Sequence, residues 1–303
     1  MPWKQVRPMD EKIRFISDHL MGVFTFAELC DRYGISRKTG YKWVDRYMEH
    51  GVDGLKNRSR KPHRSPSKTT LALEEAVVTI RHEHPTWGPK KIRVQLEGQR
   101  RPEPILSEST ITRILRRHGC ITKPRPRRRR AHPGKPTTVA TTPNHLWCAD
   151  FKGQFKTRDG VYCYPLTVTD AYSRYVLTIS GFLSPDLAHT KPAFEWLFTT
   201  YGVPDRIRTD NGTPFASTAL GRLSQLSVWW IQLGILPELI ELGHPEQNGR
   251  HERMHRTLKA EATRPPEADM TAQQQRFDAF QREFNQERPH EALQQATPAS
   301  VYT

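Results

Sequence analysis

The stretch Leu146-Trp-Cys-Ala-Asp150-Phe-Lys-Gly-Gln-Phe155, followed by Tyr162-Cys-Tyr-Pro-Leu-Thr-Val168 and then Tyr175 to Phe182, is where a helical pattern gives way to strands. β-branched and aromatic residues crowd these runs, and Asp159-Gly160 between the first two is a hairpin turn. Three antiparallel strands are expected. A helix follows from about Asp186 to Tyr201, carrying Phe194, Trp196, Leu197 and Phe198, and the short run Arg206-Ile-Arg-Thr209 then ends at Asp210-Asn211-Gly212. A strand reached through a helix usually pairs in parallel, so the pattern predicts an α/β domain with a mixed five-stranded sheet and helices on its faces.

Upstream of these strands the chain is basic and helical. Residues 1–140 hold 31 Lys+Arg against 14 Asp+Glu, whereas residues 141–303 hold 16 against 18, so the net charge of +15 belongs to the N-terminal half. Such asymmetry points to a polyanionic partner, above all nucleic acid, because neutralising phosphates releases counterions. Two segments, 54–67 and 122–143, interleave proline with Lys and Arg; the second includes Arg127, Arg128, Arg129 and Arg130. Proline removes helix donors and like charges repel, so both are read as extended basic linkers.

The linkers set off two helical blocks. In residues 1–53, Ile13, Ile16 and Leu20 recur at helical spacing, Thr25 and Glu28 form a capping box, and Gly34 supplies a turn before Ser36 caps a third helix holding Tyr41, Val44 and Met48. This is a helix-turn-helix, and it places Arg37, Lys38, Thr39 and Lys42 at the start of the helix that would enter a DNA major groove. Residues 68–121 repeat the theme with Leu71 to Ile80, Lys90 to Leu96, and a third helix capped at Ser107 or Ser109 and stopped by Gly119. Its Ile111, Ile114 and Leu115 face inward and Arg113, Arg116 and Arg117 outward, which reads as a second helix-turn-helix with room for a wing.

Several classes fall away. No stretch of 18 apolar residues exists, which excludes a membrane-spanning helix, and the polar start lacks a secretory core. The four cysteines, Cys30, Cys120, Cys148 and Cys163, stand far apart, so free thiols are expected rather than a disulfide framework or a paired-thiolate zinc site. The expected compartment is the cytosol.

Three acids then stand out: Asp150 in the first strand, Asp210 at the end of the fourth, and Glu252 in the helical run Gln247 to Lys259. If the first and fourth strands are neighbours, both aspartates reach one sheet edge and the helix brings the glutamate over them. Hard oxygen ligands gathered in this way suit Mg²⁺, with Mn²⁺ able to substitute, and two ions would serve phosphodiester chemistry. Asp170 is read instead as a carboxylate capping backbone and pairing with Arg174, Trp229 and Trp230 as core, and His244, His251 and His255 as surface histidines beside the site. Phe277, Phe280 and Phe284 form a packing stripe on the C-terminal segment 263–303.

The strings His145-Leu-Trp-Cys-Ala-Asp150, Arg208-Thr-Asp-Asn-Gly-Thr-Pro-Phe215 and His244-Pro-Glu-Gln-Asn-Gly-Arg-His-Glu252, with Phe284-Asn-Gln-Glu-Arg-Pro-His-Glu-Ala-Leu293 near the end, resemble the motifs of retroviral-integrase-like bacterial insertion-sequence transposases of the Asp-Asp-Glu superfamily. That resemblance implies a ribonuclease-H-like core over residues 144–262, metal-dependent cleavage at the element ends, and joining of the freed 3′ ends to target DNA. It makes Asp150, Asp210 and Glu252 the catalytic metal ligands, and sets Arg256 and Lys259, on the same helical face, against substrate phosphates. Members of the family commonly separate the second aspartate and the glutamate by 35 residues; here 41 lie between Asp210 and Glu252, whereas Glu246 keeps the shorter spacing. Glu252 is preferred because it follows the Asn248-Gly249 turn. The expected partners are double-stranded DNA, as terminal repeats and target, and further copies of the chain assembled on it in the bacterial nucleoid. The alternative function is a DNA-binding regulator whose integrase-like domain is inactive.

Overall fold

In this computed structural model we describe residues 8–59, 68–99, 104–121, 138–217, 221–241 and 245–302. They fall into two compact units, residues 1–68 and 69–303. Arg127, Arg128, Arg129 and Arg130 lie outside the described residues.

The first unit contains α1 (Pro8–Met21), α2 (Phe26–Arg32), α3 (Arg37–His50) and a 3₁₀ turn, Gly51–Leu55. The capping box forms as the sequence indicates: the Glu28 N–H donates to the Thr25 hydroxyl oxygen, and the Glu28 carboxylate accepts the Thr25 N–H at 2.9 Å. Ser36 caps α3 through the Thr39 N–H. The core consists of Phe15, Ile16, Leu29, Cys30 and Leu55, backed by Trp43, Val44 and Tyr47. Ile13, Leu20, Tyr41 and Met48, expected inside, are exposed. The stripe on α1 is turned so that the adjacent pair Phe15 and Ile16 faces inward, and the inward face of α3 is built around Gly40, whose missing side chain lets that helix approach Cys30 and Phe26.

The second unit begins with α4 (Leu71–Glu83), α5 (Pro89–Gly98) and α6 (Glu108–Arg117) around Val77, Trp87, Ile92, Ile111 and Leu115. No strand, and hence no wing, occurs among the described residues of this segment. It packs on the C-terminal part of the chain: Arg288 binds the Glu261 carboxylate at 2.9 and 3.1 Å and donates to the Thr86 hydroxyl at 3.2 Å, and His84 meets Glu283 at 2.8 Å.

The remaining elements are β1 (Leu146–Phe151), β2 (Phe155–Lys156), β3 (Tyr162–Asp170), β4 (Val176–Phe182), α7 (Leu187–Tyr201), β5 (Arg206–Thr209), α8 (Gln225–Gln232), β6 (Leu236–Leu239), α9 (Gly249–Glu261), α10 (Met270–Gln286) and α11 (Ala299–Tyr302). Five strands, the number expected, form the body of the sheet in the order β4-β3-β1-β5-β6, although the sequence pattern assigns no segment to β6; the two-residue β2 is an addition on β3. β1, β3 and β4 are antiparallel, whereas β5 joins β1, and β6 joins β5, in parallel after helical crossovers. Strand alternation sends Trp147, Ala149, Leu166 and Val168 against Phe194 and Leu197 of α7 and Trp230 of α8. The other face, with Cys163, Val176 and Ile179, is covered by Met254 and Leu258 of α9 and by Phe277, Phe280 and Phe284 of α10, the expected packing stripe. No helix among the described residues is long and apolar enough to cross a membrane.

Candidate active site

The parallel pairing of β1 with β5 sets Cys148 opposite Arg208 and Ala149 opposite Thr209. Asp150 and Asp210 are the next residues on these neighbouring strands, so they emerge at the same end of the sheet. The Asp210 carboxylate is turned back to accept the Gly212 N–H at 3.1 Å, and a Cβ on Gly212 would lie 3.1 Å from one of its oxygens. That contact explains the glycine. Asn211 fixes the turn from the other side by donating to the Ile240 carbonyl at 2.9 Å, beyond the end of β6.

Helix α9 divides by face. His251, Met254, His255 and Leu258, at i, i+3, i+4 and i+7, are buried, while Glu252, Arg256 and Lys259 share the exposed face. Glu252 sits in the first turn, where free backbone N–H groups favour a carboxylate. The side chain of Glu246 lies outside the described residues.

Two of the histidines, His251 and His255, correct the expectation from sequence, while His244 lies outside the described residues. His251 is 1% and His255 7% exposed. Thr167 of β3 donates to the Asp150 carbonyl at 2.9 Å and also meets Nε2 of His251 at 2.8 Å and Nε2 of His255 at 2.6 Å. Its single proton is spent on the carbonyl, so both Nε2 atoms must donate. Nδ1 of His251 then accepts from the Thr169 hydroxyl at 2.8 Å. Nδ1 of His255 faces Oδ2 of Asp150 at 3.6 Å. Burial pushes His251 down to about 3 and His255 down as well, the latter helped by His251 and Lys152. Both rings are therefore neutral. The signal was present in the apolar spacing of α9, but the hydroxyls that satisfy the rings are more than 80 residues away in sequence.

Asp150 is pushed up to about 7 by burial first and then by the charge of Asp210, with Glu252 adding to it; Lys152 and the Phe151 N–H pull the other way. The charges of the other two acids thus reach Asp150. Among the described residues, the group whose ligand atoms lie within 4.8 Å of one another is Asp150, His251 and His255. Lys152, which sequence reasoning missed, has its amine held down by burial and by Lys259, against the pull of Asp150.

Asp170 caps backbone as expected, accepting from the Asn144 N–H at 3.0 Å, the Ser173 N–H at 2.7 Å and the Ser173 hydroxyl at 2.6 Å. Its carboxylate forms no ion pair with Arg174, which has a left-handed backbone at φ 65°, donates its backbone N–H to the Asp170 carbonyl at 2.9 Å, and has its guanidinium within the influence of Arg250 and Arg253. In the helix-turn-helix units, Arg37, Lys38 and Lys42 are exposed and Thr39 is half-buried at its cap. Arg113, Arg116 and Arg117 are exposed on α6, with Arg117 bound to Glu74 at 2.7 Å.

Comparison with known proteins agrees with this layout. Integrase core domain models match residues 140–245 and 233–298, a helix-turn-helix domain matches 11–63 and a homeodomain-like domain matches 39–115. An uncharacterised 31.7 kDa protein of insertion element IS407 from Burkholderia multivorans is 24% identical over 77% of this chain and 82% of its own length. An uncharacterised 39.2 kDa protein of insertion element IS476 from Xanthomonas euvesicatoria is 27% identical over 77% of this chain and 65% of its own. Among solved structures, the HTLV-2 integrase catalytic core domain in complex with magnesium covers 54% of this chain and 98% of that one, at 19% identity and a TM-score of 0.43. With integrase core matches running from residue 140 to 298 behind helix-turn-helix segments, and insertion-element proteins as relatives along three quarters of its length, the chain belongs to the insertion-sequence transposases of the integrase superfamily.

Proposed function

We propose that this transposase binds the terminal repeats of its insertion sequence through residues 1–121 and cuts and joins DNA at Asp150, Asp210 and Glu252. An integrase core implies polynucleotidyl transfer in general. The observation that supports the specific reading is the β1–β5 pairing, which brings Asp150 and Asp210 out at one sheet end, with Asp150 raised to about 7 by burial and by the charges of Asp210 and Glu252. Hard oxygen donors of this kind fit Mg²⁺ or Mn²⁺, which the three acids would hold, with Nδ1 of His255 as a neighbouring nitrogen donor. When bound, two such ions supply activation of the attacking water or 3′-hydroxyl and stabilisation of the leaving oxygen.

The chain's own residues do the rest. Thr167, His251 and His255 hold α9 against β3 and so fix where Glu252 stands. Arg256 and Lys259 neutralise phosphates on the exposed face of that helix, and Lys152 offers an amine beside Asp150. Acting on two element ends requires at least two copies brought together on DNA, in the bacterial cytosol.

The test is strand transfer on a labelled duplex carrying the repeats that flank the gene, comparing wild type, Glu252→Gln and Glu246→Gln with Mn²⁺ and with Mg²⁺. Loss in Glu252→Gln alone is expected. Loss in Glu246→Gln alone would move the third ligand, and repeat binding by a wild type that never nicks would leave a DNA-binding regulator.

A further inference from the structure

On the flank of α9, a cavity of about 260 Å³ lies between that helix, the β3–β4 turn, α5 and the segment after α10. Six cations line it: Lys91, Arg174, Arg250, Arg253, Arg256 and Arg288. Two acids line it as well, and both are already engaged. Asp170 is fully buried under its three hydrogen bonds, and Glu291 pairs with Lys90. Arg288 is committed to Glu261, and Arg250 donates to the Ala171 carbonyl at 3.0 Å. None of Lys91, Arg174, Arg253 and Arg256 forms an ion pair among the described residues.

The wall also holds unspent hydrogen-bonding capacity. Nε of Arg174 is buried without a partner. Arg174 reaches this place from a left-handed backbone conformation, unusual for a residue with a side chain, which the Asp170–Ser173 hydrogen bonds hold in position. Burial and then Arg288 push the Lys91 amine down to about 7, against the pull of Glu261 and Glu283; burial, Arg250 and Arg253 push the Arg174 guanidinium down; burial, Lys91, Arg288 and Arg174 push His290 down to about 3. Gathering like charges in a half-buried space costs energy that an anion with several acceptor oxygens repays, and guanidinium forks match phosphate.

Arg253 and Arg256 stand one and four residues past Glu252 on α9, within about 6 Å along its axis. Arg256, which lines the cavity, therefore shares a helical face with the proposed third metal ligand.

We propose that this cavity is a phosphate clamp, which takes a non-reacting backbone phosphate of the DNA strand held at Asp150, Asp210 and Glu252. The inference rests on the transposase reading for the identity of the strand, while the phosphate chemistry stands on the cavity itself.

The experiment uses the full chain in EDTA, so that no cutting occurs, and measures binding of a labelled duplex carrying the element's repeats across a salt series. The variants are Arg253→Gln, on the exposed side of α9, and Arg174→Gln with Arg253→Gln. The expected result is a drop in affinity of about tenfold at 0.1 M salt and a slope of log K against log[salt] shallower by about one for each phosphate no longer neutralised. Thermal unfolding with inorganic phosphate as probe runs beside it, and wild type should be stabilised where the double variant is not. Unchanged slope and affinity in both variants overturn the clamp. Stabilisation of wild type by phosphate with unchanged DNA binding overturns the DNA assignment in favour of a small phosphate ligand. Strand transfer by wild type, measured separately, keeps the two readings apart: a clamp-dependent slope without cutting sinks the transposase activity and leaves the clamp standing.

Discussion

Replacing Asp150 with Asn should make the metal-free protein more stable at pH 8. Asp150 has an ordinary value of 3.8 and stands at about 7 in the folded protein, with its side chain 19% exposed. Above pH 7 the folded state must carry a half-buried carboxylate beside Asp210, whereas the unfolded chain carries it in water. The folded state binds the extra proton, so stability falls as pH rises from about 4 to about 7. At about 1.4 kcal/mol for each pH unit, that interval sets an upper bound of roughly 4 kcal/mol on what Asn, isosteric and neutral, could recover at pH 8. For a unit of this size each kcal/mol moves Tm by about 2–4 °C, so a rise of several degrees is expected in the unfolding transition of residues 69–303. The assay is calorimetry in EDTA at pH 8 and pH 5. The gap should narrow at pH 5, where wild type keeps its proton, and adding Mn²⁺ should stabilise wild type but not the variant. Equal Tm values at pH 8, or a gap that does not change with pH, would refute the account of Asp150 as a strained acid awaiting a cation.

Other consequences are as direct. Gly212→Ala puts a Cβ 3.1 Å from the Asp210 carboxylate, and strand transfer should fall about 10²-fold with Tm nearly unchanged, since a small misplacement of a ligand is enough. In the first unit, Gly54→Ala drives a Cβ to 2.0 Å from the Arg46 carbonyl and should cost on the order of 3 kcal/mol in urea unfolding. Gly40→Ala meets the ends of the Cys30 and Phe26 side chains at 2.7 and 2.9 Å, which can swing aside, so its cost should be the smaller of the two. Arg208→Met removes a guanidinium that is 4% exposed and holds Glu238, the Thr138 carbonyl and the Gln247 carbonyl; leaving Glu238 unpaired should cost about 3–5 kcal/mol, with partial recovery in the double variant Arg208→Met, Glu238→Gln.

What the sequence discloses follows from range. Caps and turns are local chemistry, and Thr25 with Glu28, Ser36, Ser107 and Asp186 all cap the helices they introduce. The mixed sheet was legible because a crossover through α7 favours parallel pairing of β5 and Asp159-Gly160 commits β3 to antiparallel pairing, whereas the adjacency of β5 and β1 stood open until the fold supplied it. The inward face of α1 was not. Ile13, Ile16 and Leu20 make as good a stripe as the one containing Phe15 and Ile16, and only the shape of α2 and α3 decides between them. Nor was the pairing of the Asp170 carboxylate legible, since proximity to Arg174 in sequence says nothing about a backbone that turns left-handed at Arg174 itself.

The site divides in the same way, and the division explains why histidines stand on α9 where leucines would bury as well. Met254 and Leu258 press that helix onto the sheet, but apolar contact is nondirectional and leaves the helix free to rotate by some degrees about its axis. Such a rotation would carry Glu252 away from Asp150 and Asp210 while costing the core little. His251 and His255 bind Thr167 and Thr169 at 2.6 to 2.8 Å from two successive turns, and hydrogen bonds of that length have fixed direction. Because Thr167 also binds the Asp150 carbonyl, one hydroxyl couples the strand bearing the first acid to the helix bearing the third. The proposed carboxylates rest on their motifs. What aligns them is a hydroxyl–imidazole network whose members lie on β3 and α9, visible only once the chain has brought those elements together.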